Sequence, residues 1–220
     1  GTGHDYGKGI AIDSTDNIYV QTQTDSESWN SYGGPFNQDC VVAKYNSSGV
    51  LQWTRRLYGP WHTYPEGIVV NSSDDVIVSG GSYNATSGSG GTSHIFVVKY
   101  NSAGTLQWQK ALGSINPSTG LDQGYALALD SSDNIFVAGQ TSSDGSGGRD
   151  SILVKLDPEG NNNGSYGVWT FQYGWLTDSA TSSTTDAAMV ATDVTPTHLT
   201  DATASLTESA ASMNDELFTM

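Results

Sequence analysis

Basic residues are scarce in this chain: 8 Lys and Arg stand against 23 Asp and Glu, a formal net charge of −15. A nucleic acid or an anionic membrane calls for clustered cations, and the few here are scattered, so neither is expected as a partner. Cysteine is nearly absent as well. Cys40 is the only one, which excludes an internal disulfide, and its place in the apolar stretch DCVVAKY predicts a buried structural thiol. No stretch resembles a membrane span or a signal peptide, and membrane insertion is not expected. Catalytic signatures are missing too: there is no GxSxG, P-loop or paired zinc motif. The four histidines (His4, His62, His94, His198) read as sharing neither a repeat position nor a metal-ligand spacing. No enzymatic activity, metal or cofactor is therefore expected.

What the chain does have is one pattern written three times. An apolar strand, a polar turn, a second strand, a Gly/Ser-rich loop, an apolar strand ending in Lys, a Gly turn and a Trp-bearing strand follow one another. The first copy reads GIAIDSTDNIYV (9–20) and DCVVAKYNSSGVLQW (39–53). The second reads GIVVNSSDDVIV (67–78) and HIFVVKYNSAGTLQW (94–108), the third ALALDSSDNIFV (126–137) and DSILVKLDPEGNNNGSYGVW (150–169). Lys44, Lys99 and Lys155 recur at spacings of 55 and 56, and Asp13, Asn71 and Asp130 at 58 and 59. A period of this size with four strands per unit predicts an all-β fold of four-stranded β-propeller blades. The repeats cover 1–174, in units of about 4–60, 61–120 and 121–174, followed by a tail over 175–220.

Within each unit the short first strand (Ile10–Ile12, Ile68–Val70, Leu127–Leu129) suits the crowded innermost position. Asp and Asn of DSTDN, NSSDD and DSSDN predict turns capped on backbone N–H groups two residues on; these segments lack the alternating ligands and distal Glu of a calcium loop. Gly49, Gly104 and Gly160 are expected at positive φ in the short hairpin turns, and the repeated Trp as packing between blades. In an up-and-down blade the second-to-third loop and the blade connector emerge at one end. Those segments are long and aromatic: Trp29, Tyr32 and Phe36 in 22–38, Trp61, His62 and Tyr64 in 59–66, Tyr83 in 80–93. Rings beside Asn, Asp and Ser can stack on sugars or anchor a protein, or can fold back over the blade edges; these seven residues are the candidate ligand-binding set.

Three blades do not close a ring, so the unit is expected to belong to a larger propeller, completed by further blades of a longer array or by other copies of the chain. Beyond Tyr173 the composition changes. Residues 177–215 contain no Gly, Lys or Arg, and LTD, TTD, ATD, LTD, LTE and MND return every 7 or 8 positions. This low-complexity tail reads as an assembly segment, with a solvated tether as the alternative.

The motif D-s-s-D-N-I-Y/F-V followed by V-V-K-Y-N-S-x-G-x-L-Q-W resembles the seven-bladed β-propeller repeat family of secreted bacterial surface proteins and phage virion proteins. It is followed most closely in the first two repeats; in the third, Lys155-Leu156-Asp157 replaces K-Y-N and NNNGSYG (161–167) lengthens the turn before Trp169. The tail resembles the Thr-Asp repeats of structural proteins of large tailed phages of marine cyanobacteria. The resemblance implies an exposed, non-enzymatic structural or adhesion protein, extracellular or in a virion tail or fibre. Its expected partners are itself, other virion or surface structural proteins, and a cell-surface glycan or protein. The alternative is a secreted bacterial surface or matrix protein that binds carbohydrate or protein.

Overall fold

The computed structural model describes residues 4–25, 38–59, 62–84, 92–114, 120–142 and 148–161, with the backbone of 164–166, 169–173 and 177–178. All elements among them are strands. The first blade is the meander β1 (Asp5–Ile12), β2 (Ile18–Thr24), β3 (Asp39–Tyr45) and β4 (Leu51–Tyr58). The second is β5 (Thr63–Val70), β6 (Val76–Asn84), β7 (Thr92–Tyr100) and β8 (Leu106–Ser114). The third contains β9 (Gln123–Leu129), β10 (Ile135–Thr141) and β11 (Asp150–Leu156). The architecture is all-β, built of propeller-type blades.

One strand departs from the sequence expectation. The Trp169 segment does not return to β11. β12 (Gly164–Tyr166) and β13 (Trp169–Tyr173) form a hairpin, and β13 pairs with β8, from Trp169 opposite Ser114 to Tyr173 opposite Lys110. The reason is legible at the turn. Leu-Gln-Trp follows one residue after Gly49 and Gly104, whereas Asn162-Asn163-Gly164 stands there after Gly160. Asn and Gly are poor strand formers and bring no apolar side chain to hold a register against β11. Of the tail, β14 (Thr177–Asp178) adds to the outer edge of β4; the Thr-Asp repeats beyond it lie outside the described residues.

The core lies between blades: the first and third each bury one face and the second buries both. Tyr19, Cys40, Val42 and Leu57 of the first blade meet Val76, Val78, Phe96, Val98 and Tyr100 of the second. Ile77, Ile95, Val97 and Leu112 on the other face of the second meet Ile135, Val137, Val154 and Leu156 of the third. Strict alternation along the strands sends successive side chains to opposite junctions.

Polar contacts repeat at each junction with the same geometry. Asp13 Oδ1 accepts from the backbone of Thr15 (3.0 Å) and Asn17 (2.9 Å), and Asn71 and Asp130 cap their turns in the same way. The fourth turn residue, Asp16, Asp74 or Asp133, is left-handed (φ 61°, 61° and 59°), a conformation that Asp tolerates better than most residues. That geometry aims Asp74 at the preceding blade, where it accepts from the backbone N–H and hydroxyl of Ser14, both at 2.8 Å; Asp133 does the same to Ser72. At the outer side, Lys44 Nζ (3.0 Å) and Trp53 Nε1 (3.1 Å) donate to the Ser102 carbonyl of the next blade. Lys99 Nζ and Trp108 Nε1 donate to the Pro158 carbonyl, each at 3.2 Å. Trp53 and Trp108 are thus interblade packing with a satisfied indole N–H.

Candidate functional site

The long-loop end of the blades is where β1, β5 and β9 begin, and a bulge interrupts each of them at the same repeat position. Gly7 and Gly9 oppose consecutive residues of β2, leaving Lys8 extra; Glu66 is extra between Pro65 and Gly67, and Tyr125 between Gly124 and Ala126. A bulge re-aims the side chain it inserts. Here it turns three different chemistries, a cation, an anion and a phenol, onto one shelf along the innermost strands. Lys8 Nζ lies 3.8 Å from Glu66 Oε1, and Gln123 Nε2 donates to the same oxygen at 3.3 Å. Tyr125 is 44% exposed. Burial raises its pKa, opposed by Arg149, while Glu66 and Tyr83 add to the rise, so its phenol lies within the field of all three.

Behind this shelf stand three of the seven residues singled out from the sequence. The rings of His62, Tyr64 and Tyr83 form one cluster, with centroids 5.4 Å apart for His62–Tyr64, 5.2 Å for Tyr64–Tyr83 and 6.4 Å for His62–Tyr83. All three are half-buried. Burial lowers the His62 pKa, and its Nδ1 faces the Gln38 backbone N–H at 3.3 Å, which a neutral ring accepts. The Tyr64 phenol is raised by burial and by Tyr83. The cluster is locked to the backbone: Thr63 N–H donates to the Gln38 carbonyl and Tyr83 N–H to the His62 carbonyl. Trp29, Tyr32, Phe36 and Trp61 lie outside the described residues.

The histidine reading is corrected in one respect. His4 and His62 do share a repeat position, each immediately before its blade's first strand and nine residues before Asp13 or Asn71. They do not meet: His4 pairs with Asp25 at 3.3 Å and stacks on Tyr6. Among the described residues no group of His, Cys, Asp and Glu is arranged to hold a metal ion.

Sequence reasoning missed Lys8, Glu66, Gln123 and Tyr125. The signal was present, since glycines inside a strand pattern (Gly7 and Gly9, Gly67, Gly124) mark bulges. The shelf offers one carboxylate held by an amide and an ammonium, flanked by an exposed phenol. That is hydrogen-bonding and stacking chemistry suited to a polar ligand with a flat apolar face.

No curated protein matches the chain. Residues 112–145 match the β-propeller repeat family, a stretch that runs from the end of β8 through β9 and β10, the regular part of the third repeat and the part that carries the Tyr125 bulge.

Proposed function

We propose that the chain is a non-enzymatic structural and adhesion module of a virion tail or fibre, and that its bulge shelf binds a cell-surface glycan. The observation that carries the reading is the row of bulges. Three blades spend the same backbone irregularity to place Lys8, Glu66 and Tyr125 at one end, where the rest of each inner strand is regular. Glu66 with Gln123 supplies oriented acceptors and donors for hydroxyls, and Tyr125 supplies a stacking face.

Binding of the full chain to a glycan array tests this. Tyr125→Ala, at an exposed position, is expected to weaken the bound glycans about tenfold or more, the size of an anchor contact. Val50→Ser, exposed in the opposite turn, is expected to leave them unchanged. Equal binding by the parent and Tyr125→Ala overturns the site. Genes for tail and baseplate proteins beside its own support the virion setting; secretion or surface-anchoring genes there replace it with a bacterial surface.

A further inference from the structure

Every internal junction is made by one set of contacts, and the two end faces of the array carry its opposite halves. On the third blade the donor half reaches no other blade among the described residues; Lys155 pairs only within its own blade, with Asp130 at 3.9 Å. Lys155 is the repeat equivalent of Lys44 and Lys99; those two are largely buried and reach the next blade, whereas Lys155 is 56% exposed. Leu153 is 69% exposed, although its equivalents Val42 and Val97 are buried in the two junctions. Ala126, Ala128 and Ala138 are exposed on the same blade. Ser131, equivalent to the clasped Ser14 and Ser72, is reached by no described Asp.

On the first blade the acceptor half meets no donor from another blade among the described residues. Asp16 takes the same left-handed conformation as Asp74 and Asp133 yet clasps no serine among the described residues. Gly104 and Gly160 are buried under Trp53 and Trp108, while their equivalent Gly49 is only half-buried, and the Ser47 carbonyl, equivalent to the acceptors at Ser102 and Pro158, receives no Lys or Trp donor among the described residues. Ile10 and Ile12 are 66% and 60% exposed, whereas Ile68, Val70, Leu127 and Leu129 at their positions pack into junctions.

We propose that a second copy of this chain covers both faces, the third blade of each copy docking head to tail on the first blade of the other. Lys155 then reaches the Ser47 carbonyl, Asp16 clasps Ser131, and Leu153 meets the apolar face that carries Ile10 and Ile12. The halves are chemically distinct, donor against acceptor, so neither face is complementary to itself. Two copies bring six blades, within the roughly four to eight at which propellers close, so the contact is made twice around a two-fold axis instead of running on as a filament. No indole joins the set at this junction from β11, because β13 pairs with β8; it is therefore weaker than the internal ones.

Sedimentation velocity of the full chain tests the proposal independently of any ligand. The expected particle has twice the 23.2 kDa chain mass. Leu153→Asp and Ile12→Asp, both at positions exposed within one copy, are each expected to weaken the dimer about thirtyfold or more, as loss of an interface anchor does. Circular dichroism of the two variants is expected to match that of the parent. An equimolar mixture of the two is expected to associate again, because one intact third blade then finds one intact first blade. A monomeric parent, showing that blades elsewhere or none cover the faces, overturns the proposal. So does a parent that elongates without limit, a dimer indifferent to both substitutions, or a mixture that stays monomeric.

Discussion

Alanine at Gly104 separates two costs that the repeat lets one measure independently. Gly104 has φ +77°, and a Cβ there would stand 2.8 Å from Trp53 Cδ2 and 2.9 Å from Cε2. The left-handed backbone alone costs an alanine about 1 to 2 kcal/mol. Displacing the indole, which is held by its bond to the Ser102 carbonyl and by the edge of Tyr19 at 5.8 Å, adds about 1 to 3 kcal/mol as overpacking. The sum, about 2 to 5 kcal/mol, is a large share of the stability of an ordinary domain. Gly49 provides the comparison for the backbone part: its φ is +76°, so Gly49→Ala is expected to cost at least that part, about 1 to 2 kcal/mol. Urea unfolding followed by far-ultraviolet circular dichroism, at a concentration where the chain is monomeric, measures both. Adding Trp53→Ala to Gly104→Ala is expected to recover about 1 kcal/mol or more of coupling. Absence of coupling to Trp53 refutes the claim that the turn glycine is there to seat the preceding repeat's indole.

Other outcomes follow from the same geometry. Burial pushes the Asp39 carboxyl up to about 6 against the attraction of Arg56; a raised carboxyl stabilises the fold below its unfolded pKa near 3.8, and that contribution is lost as pH rises through about 6. Urea midpoints of Asp39→Asn are therefore expected to lack the fall that the parent shows between pH 4 and 6, and parallel profiles refute this. Asp13 behaves in the opposite sense: burial alone would raise it, but the bonds from Asn17 and Thr15 together outweigh burial and hold it well below the usual range, so its contribution is present above pH 4 and lost in stronger acid. Asp13→Ala is expected to remove that acid-sensitive part. The Cys40 thiol, fully buried and raised by burial, is expected to resist iodoacetamide at pH 8 in native protein and to react once urea opens the first junction; fast native labelling refutes its burial. Ser72→Ala, which removes one half of the Asp133 clasp, is expected to cost about 0.5 to 1.5 kcal/mol by thermal unfolding.

The repeat, the four-strand unit of the first two copies, the capped Asp/Asn turns and the positive-φ glycines were all determined by local sequence. Each rests on a short-range rule: strand alternation, an Asx side chain bonding the next backbone groups, or the absence of a Cβ. The same rules at Asn162-Asn163-Gly164 explain why the Trp169 segment does not return to β11, but not that β13 would pair with β8. That choice depended on which edge was free in space. The bulges were half-visible, as glycines in a strand; that they carry Lys8, Glu66 and Tyr125 onto one shelf was decided by three strands far apart in sequence lying side by side. Likewise, nothing local marks Ser14 as the partner of Asp74, 60 residues away. The blades determined what each repeat offers to a neighbour, and only their stacking decided which offers were taken and which were left open.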